Sequence, residues 1–372
     1  MPITIIVGGQ FGSEGKGKVA HWFAREFDAA AVVRVGGPNS GHTVVDDHGR
    51  SRIFRQLPTA AVLPNVLCAI AAGSYIDPEL FLAEVSDAGL APDRVAVDPD
   101  AMVITDDDRR AEREQHLNRR IGSTGSGTGA AVVRRVLRGS DARFAGDQPE
   151  LLPFVRPTKP LLGDLLADGA RVLIEGTQGY GLSLLHSDSF PYVTSRDTTA
   201  AAFLAEAGLS PLLVDQVVLV VRAFPIRVAG RSGLLPNEID WETLVSESGL
   251  SDGYCEYTSV TKQVRRIGRF DAEIVKAGIL ANQPTKVVLN HLDYVDPGVD
   301  GPGSLSNRAE EFIRQVEAQI GCRVDFCGTS PRDLWETQVS RLRKGLSDDG
   351  INLRRPAGFE EPKNSGRRVH SG

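Results

Sequence analysis

Long apolar runs, cysteine and net positive charge are what this 372-residue chain is short of. No apolar stretch approaches the ~18 residues of a membrane-spanning helix, and the N-terminus lacks the charged region that opens an export signal. The four cysteines, Cys68, Cys255, Cys322 and Cys327, are scattered without a CxxC pair, so neither a zinc knuckle nor a disulfide framework is indicated. They read as small core or loop residues in a reducing compartment. A formal net charge of −6 runs against the basic footprint of a nucleic-acid scaffold. The expectation is a soluble cytoplasmic protein that works on small molecules, with no nucleic-acid and no membrane partner. The length allows a large core, as one big α/β unit or as two domains.

What is present is glycine, placed after strand-like runs. Residues 3–18 read ITIIVGGQFGSEGKGK. Ile3 to Val7 predicts a buried parallel strand, and Val19 to Phe27 an amphipathic helix. Strand, glycine loop and helix form the layout in which backbone N–H groups and a helix N-terminus cradle phosphate. Glycine is needed there because a β-carbon would block the close approach of the backbone. Gly12 to Lys18 fits GxxxxGK, with Val19 where a P-loop has Ser or Thr.

The rest of the chain repeats the alternation. Strands are expected at Ala30–Val35, Cys68–Ala71, Val172–Glu175, Val217–Arg222 and Lys286–Asn290. Helices are expected at Pro78–Ala88, Asp106–Arg120, Thr198–Ala207, Asp271–Ala281, Asn307–Ile320 and Pro331–Lys344. This is an α/β pattern with a mostly parallel sheet. Further glycine loops at 36–41, 122–129 and 176–181 sit with polar loops at the carboxyl ends of strands, where open α/β sheets bind ligands. Two nucleotides, or a nucleotide and a phosphorylated substrate, would account for them.

In order along the chain, GSEGKGK (12–18), NSGHT (39–43), GSTGSGTG (122–129), EGTQG (175–179), FPYVTS (190–195), RRIGRFD (265–271) and NHLD (290–293) resemble the motifs of the adenylosuccinate synthetase family. The resemblance runs from about residue 3 to 335. It implies a P-loop-like single large α/β domain around a mainly parallel sheet, here 1–359, followed by a frayed tail at 360–372. It also implies a homodimer, Mg²⁺, and a ligase reaction. A purine nucleoside triphosphate phosphorylates the 6-oxo group of a purine nucleotide, and the amine of L-aspartate then displaces the phosphate. Such chemistry needs a base near the N1 proton, cations on the moving phosphoryl group and a donor for the developing charge.

Carried over position by position, the resemblance makes Ser13, Lys16, His42 and Gln178 the catalytic set. His42 is the general acid at the 6-oxygen, for which a neutral-range pKa is suited. Lys16 neutralises the transferring phosphate, and Ser13 with the Gly41 carbonyl stands at the Mg²⁺ position. Ser13, Asn39, Thr124, Gln178, Thr194 and Gln263 hold the nucleotide monophosphate, and Arg138 reaches the 5′-phosphate of the neighbouring subunit's substrate. Gly12, Gly15, Lys16, Gly17, Gly41, Thr43, Arg265, Asn290, Asp293, Gly328, Thr329 and Ser330 take the triphosphate. Ser259, Val260, Thr261 and Arg265 take aspartate, the guanidinium being a natural bidentate partner for a carboxylate.

The departures are informative. Ordinary members read GDEGKGK, with the aspartate as the base; here Ser13 stands in its place. A hydroxyl is no comparable base at neutral pH, yet it is shorter and accepts a hydrogen bond from an exocyclic amine. Gln263 replaces an arginine near the ribose, and the chain has the compact archaeal length. These changes resemble the phage 2-amino-2′-deoxyadenylosuccinate synthases, which condense dGMP with aspartate on the way to diaminopurine DNA in the host cytoplasm. Two alternatives stay open: an IMP- and GTP-dependent adenylosuccinate synthetase, and a non-catalytic nucleotide-binding regulator. The retained His42, Lys16 and Arg265 argue against the regulator. Asp293 fits a guanine donor, whereas His291, where many relatives carry lysine, leans to ATP or dATP.

Overall fold

Strand β1 (Ile3–Gly8) is buried along its whole length and lies in the middle of a nine-stranded sheet. In this computed structural model residues 2–258, 262–299 and 305–337 are described. β2 (Ala31–Arg34) is followed by the hairpin β3 (His42–Val45) and β4 (Ser51–Phe54). β5 (Leu67–Ile70), β6 (Tyr75–Ile76), β7 (Val95–Val97), β8 (Met102–Val103), β9 (Val172–Glu175) and β10 (Val214–Arg222) come next. β11 (Ile226–Arg227), β12 (Glu238–Ile239) and β13 (Arg266–Gly268) form a small antiparallel sheet. β14 (Lys286–Asn290), β15 (Phe326–Cys327) and β16 (Trp335–Glu336) complete the set. The large sheet runs β16-β15-β14-β10-β1-β9-β2-β5-β7, with every pairing parallel except β15 with β16.

The alternation of β1 explains the layers. Ile3, Ile5 and Val7 face one cluster and Ile6 faces the other, as period-two side chains must. Against the first face lie α7 (Ala200–Ala207), α9 (Ala272–Asn282) and α10 (Asn307–Ile320), through Phe203, Val275 and Val316. Against the second lies α1 (Lys16–Glu26), through Val19, Phe23 and Ala24. Both faces are therefore covered, the condition under which a parallel sheet is stable. α2 (Pro78–Ala88) packs beside the β3–β4 hairpin. α3 (Asp106–Glu114), α4 (Leu117–Ile121) and α5 (Thr128–Leu137) follow one another, and α6 (Thr158–Ala167) and α8 (Trp241–Ser248) complete the helices. No helix among the described residues is long and apolar enough to cross a membrane.

Two expected elements differ. Asp106–Arg120 is two helices, because His116 takes a left-handed conformation (φ 52°) between α3 and α4. Within the expected helix Pro331–Lys344, residues 331–337 form a turn and the edge strand β16. Ser330 Oγ accepts from the N–H groups of Arg332 and Asp333, as at a helix start. Lys18 holds the Asp333 carbonyl, however, and Trp335 is drawn into the sheet. Tertiary packing has overridden the local signal. Residues beyond 337, including the expected tail, lie outside the described residues.

Candidate active site

The carboxyl ends of β1, β2, β9, β10, β14 and β15 open on one edge of the sheet, and these strand ends and the loops that follow them carry Ser13, Gln178, Asn290, Asp293 and Thr329. The loop after β1 passes into α1 through Gly15, the helix N-cap, at φ 87° with no side-chain cap. A β-carbon at Gly15 would meet Asn290 Nδ2 at 2.9 Å, so both backbone sign and space require glycine. The first turn of α1 therefore presents its N–H groups uncapped, as an anion site requires. Beneath the loop, Glu14 is fully buried. Its carboxylate accepts from Gln10 N (3.1 Å), Gly12 N (2.7 Å) and Lys16 Nζ (2.8 Å), and Lys16 also donates to Gly12 O (3.1 Å). Gly12 is expected at the triphosphate, and its N–H is turned inward onto Glu14. Gly17, in the first helical turn, is buried against His42 and Thr59.

His42, at the start of β3, is 4 % exposed. Its Nδ1 lies 2.5 Å from Glu175 Oε1, with Arg34 Nη1 beside it. Arg34 also donates to Glu175 Oε1 (2.9 Å) and Ser40 O (3.0 Å), while Thr59 N and Oγ1 reach Glu175 Oε2 at 2.8 and 2.9 Å. Burial, followed by the Arg34 charge, pushes His42 down to about 3. The neutral-range pKa expected for this residue is thus not what the fold produces. With its Nδ1 proton on Glu175, the neutral ring offers a lone pair at Nε2, which is buried without a hydrogen-bond partner. An anionic group arriving beside Nε2 raises the proton affinity of the ring and converts it to a donor.

Ser13 stands across the loop. Its hydroxyl accepts from Arg265 Nη1, and its carbonyl accepts from Arg222 Nη1 at 3.0 Å. Arg222 is fully buried and donates to Glu256 Oε1 (2.6 Å), which also accepts from Tyr294 OH (2.5 Å). Although burial opposes it, the Arg222 charge holds Glu256 down at about 2. Arg265 is further fixed by Nε to Tyr257 O (3.0 Å), and its own carbonyl accepts from Trp241 Nε1 (2.7 Å). The expected Ser13 ligation of Mg²⁺ fits poorly, since a guanidinium already bonds that hydroxyl. Among the described residues no cluster of three or more His, Cys, Asp or Glu side chains forms a metal site. The remaining donor, the Gly41 carbonyl, suits an ion carried mainly by phosphate oxygens.

The expected monophosphate residues are only partly brought together. Asn39 Nδ2 lies 3.4 Å from Thr194 Oγ1. Gln178, at φ 61°, backs onto Gly12. Thr124 is half-buried in the second glycine loop. The helix that this loop starts is closed from within, because Glu112 accepts from Gly127 N (2.9 Å), Gly129 N (2.8 Å) and Ala130 N (3.4 Å). Gln263 is exposed and pairs by its backbone with Thr258. Arg138 is exposed at the end of α5 and makes no ion pair among the described residues, whereas Arg134 is bound to Asp108 and Arg135 to Ala72 O. Ser259, Val260 and Thr261 lie outside the described residues, and Thr43 is exposed on β3.

At the β14–β15 end, Asn290 Nδ2 donates to Glu14 O (2.8 Å). Asn290 Oδ1, Asp293 Oδ1 and Thr329 Oγ1 are all buried without a partner. Burial raises Asp293 to about 6. A Cβ at Gly328 would collide with Lys18 Nζ and Asn290 Oδ1, and Ser330 Oγ donates to Asp333 Oδ2 (2.6 Å). Sequence reasoning missed Glu14, Lys18, Arg34, Glu175, Arg222 and Glu256. Glu14, Lys18 and Glu175 lie inside quoted motifs; nothing local marks the other three, whose roles arise from tertiary pairing.

A helix start without a side-chain cap, a buried lysine, an imidazole on a carboxylate and a set of buried polar atoms without partners together suit phosphoryl transfer between nucleotides. Residues 5–145 and 142–300 match the adenylosuccinate synthetase family. The adenylosuccinate synthetases of Methanocaldococcus jannaschii and Methanococcus vannielii are 39 % and 37 % identical to the chain. The matches cover 88 % and 89 % of this chain and 94 % and 97 % of those proteins. Among solved structures, the succinoaminodeoxyadenylate synthetase (PurZ) of cyanophage S-2L, bound to dGMP and dATP, is 31 % identical with a TM-score of 0.76. That match covers 93 % of this chain and 98 % of the phage chain. A fully ligated adenylosuccinate synthetase from Plasmodium falciparum shares the fold at a TM-score of 0.78 and 18 % identity, covering 91 % and 100 %. The chain belongs to the adenylosuccinate synthetase family, whose members are carbon–nitrogen ligases.

Proposed function

We propose that the protein condenses dGMP with L-aspartate, driven by ATP or dATP, through a 6-phosphoryl intermediate to 2-amino-2′-deoxyadenylosuccinate. The observation that carries this reading is Ser13, a small hydroxyl turned toward Arg265 where the resemblance expects a carboxylate. Guanine differs from hypoxanthine by an amine beside N1, and an aspartate base there would crowd it. The phage neighbour bound to dGMP and dATP supports the same substrates. A site built for a polar group discriminates strongly against substrates that lack it.

In the first step the γ-phosphoryl group moves to the guanine 6-oxygen, and the N1 proton leaves. Ser13 is no base at neutral pH, so that proton departs through water or a phosphate oxygen. Lys16, braced by Glu14, carries positive charge toward the transferring group. His42, oriented by Glu175 and Arg34, receives at Nε2 the N1 proton passed on by that water or phosphate oxygen and donates it at the 6-oxygen as the phosphate leaves. In the second step the aspartate amine attacks C6 and phosphate leaves, while Arg265 pairs with an aspartate carboxylate. Mg²⁺, held by phosphate oxygens and the Gly41 carbonyl, would neutralise charge on the triphosphate. Thr124, Asn39, Thr194 and Gln178 would hold the monophosphate, with Gly15, Gly17, Thr43, Asn290, Asp293, Gly328, Thr329 and Ser330 around the donor. A homodimer fits the exposed apolar ridge Val133, Val136 and Leu137 beside Arg138, from which that arginine would reach the partner's 5′-phosphate.

The higher identity to archaeal adenylosuccinate synthetases favours a second reading, IMP with GTP. Phosphate release in the presence of aspartate decides between them. The expected result is turnover with dGMP and ATP or dATP, and at least ~100-fold lower kcat/KM with IMP. Brisk turnover of IMP with dGMP ignored would overturn the proposal in favour of the second reading. No phosphate release with any pair would instead point to a nucleotide sensor.

A further inference from the structure

Lys18 sits two residues after the catalytic lysine on α1, and its ammonium leaves the phosphate loop altogether. Nζ donates to Ser330 O (2.8 Å) and Asp333 O (3.0 Å). Those carbonyls belong to the loop after β15, whose other edge is fixed to β14: Gly328 N donates to Leu289 O (3.0 Å) and Leu292 N to Gly328 O (3.1 Å). The loop is thus tied to the sheet on one side and to the phosphate-binding helix on the other. Gly328 is the residue that lets the lysine pass, since a side chain there would strike Nζ. The unpartnered Asn290 Oδ1, Asp293 Oδ1 and Thr329 Oγ1 lie on the elements this lysine draws together.

We infer that Lys18 is a positioning residue that sets the wall of the donor-base pocket, Thr329 and Ser330, at a fixed distance from the phosphate loop. The inference rests on the reading of this region as the triphosphate site. Charged neighbours of the ammonium are Asp293 and Asp333, with the Cys327 thiol close by. Burial lowers Lys18 to about 8, and the two carboxylates oppose that shift. An ammonium spanning two backbone carbonyls is a charge-assisted clamp, stronger than neutral hydrogen bonds. No phosphate contact is needed for this role, which distinguishes Lys18 from Lys16.

The test uses binding of ATP, GTP and base-less inorganic tripolyphosphate to the full chain and to Lys18→Met. Loss of the clamp should weaken ATP or GTP by about tenfold, with tripolyphosphate unchanged within about twofold, since it reads only the phosphate loop. Lys18→Arg should recover most of the loss, and kcat at saturating triphosphate should fall far less than KM rises. Retained tripolyphosphate binding also reports a folded Lys18→Met; should that variant not fold, Lys18→Gln carries the same expectation. Equal loss of tripolyphosphate and nucleotide, or no loss of either, would overturn the role of Lys18 alone. Wild-type protein that binds tripolyphosphate as tightly as ATP and GTP would overturn the base-pocket reading as well.

Discussion

Among the described residues two helices start from glycine-rich loops, and they use the same local grammar in opposite ways. At α1 the buried carboxylate, Glu14, lies under the loop and takes Gln10 N, Gly12 N and the lysine. The helix amides beyond are left facing outward. At α5 the carboxylate, Glu112, lies on the helix start itself and takes Gly127, Gly129 and Ala130 N–H. One helix start is left without a side-chain cap and the other is closed by a buried carboxylate. Of the buried polar atoms without partners, His42 Nε2, Asn290 Oδ1, Asp293 Oδ1 and Thr329 Oγ1 belong to the expected site, and none lies on α5. A glycine loop before a helix is therefore not by itself a phosphate site; where the nearest carboxylate goes decides it.

The sharpest way to break this comparison is at the open end. Lys16→Met should lower kcat by about 10²–10³-fold, as loss of a charge-stabilising group does. It should also cost ~3–5 kcal/mol of stability, because Glu14 is left buried and unpaired. Adding Glu14→Gln should restore most of the stability in urea titrations and none of the turnover. Recovery of turnover would show that Lys16 only braces the loop.

At the closed end, Glu112→Ala should cost about 2 kcal/mol, the value of a charged acceptor at a helix start. Millimolar inorganic phosphate should then raise the melting temperature of the variant more than that of the wild type, since the bared amides become an anion site. An identical phosphate response in the two proteins would mean that the two helix ends are not equivalent in kind.

The smallest effect concerns what an open site costs. Burial holds the Asp293 pKa at about 6, above its unfolded value of 3.8, so the folded state binds more protons across that window. Its contribution to stability is present below 3.8 and is lost as pH rises through 6. Asp293→Asn should therefore stabilise the protein by about 1–2 kcal/mol at pH 7, with the gain vanishing near pH 4. The same change should weaken triphosphate binding. Stability that stays the same at pH 7 would show that the carboxylate is better solvated than its burial suggests.

Much of the frame was legible from sequence for identifiable reasons. Val172–Glu175 and Lys286–Asn290 are short apolar runs ended by polar loops, and the strands have those bounds. Pro78–Ala88 and Asn307–Ile320 carry their start signals in Asp77 with Pro78 and in Ser306, whose side chains cap the helices. Within Pro331–Lys344 the described residues 331–337 misled because the Ser330 start signal is real, while Lys18, distant in sequence, and the pairing of Trp335 with β15 hold the chain otherwise. Of the site, the loops and His42 were readable as motifs. The state of His42 was not, because it depends on Arg34 and Glu175 arriving from two other strands. Glu112 was hidden in a charged run that reads as a solvated helix face, and nothing nearby shows that it turns inward.

The strands that carry the chemistry are the central, most enclosed members of the sheet. Amide exchange from β1, β9 and β10 should thus require global opening, and the scaffold around the purine cannot be remodelled piecemeal. Under the proposed reading, a new substrate preference comes by exchanging one side chain in a loop after a strand end while the frame stays put, and position 13 is where that exchange would lie.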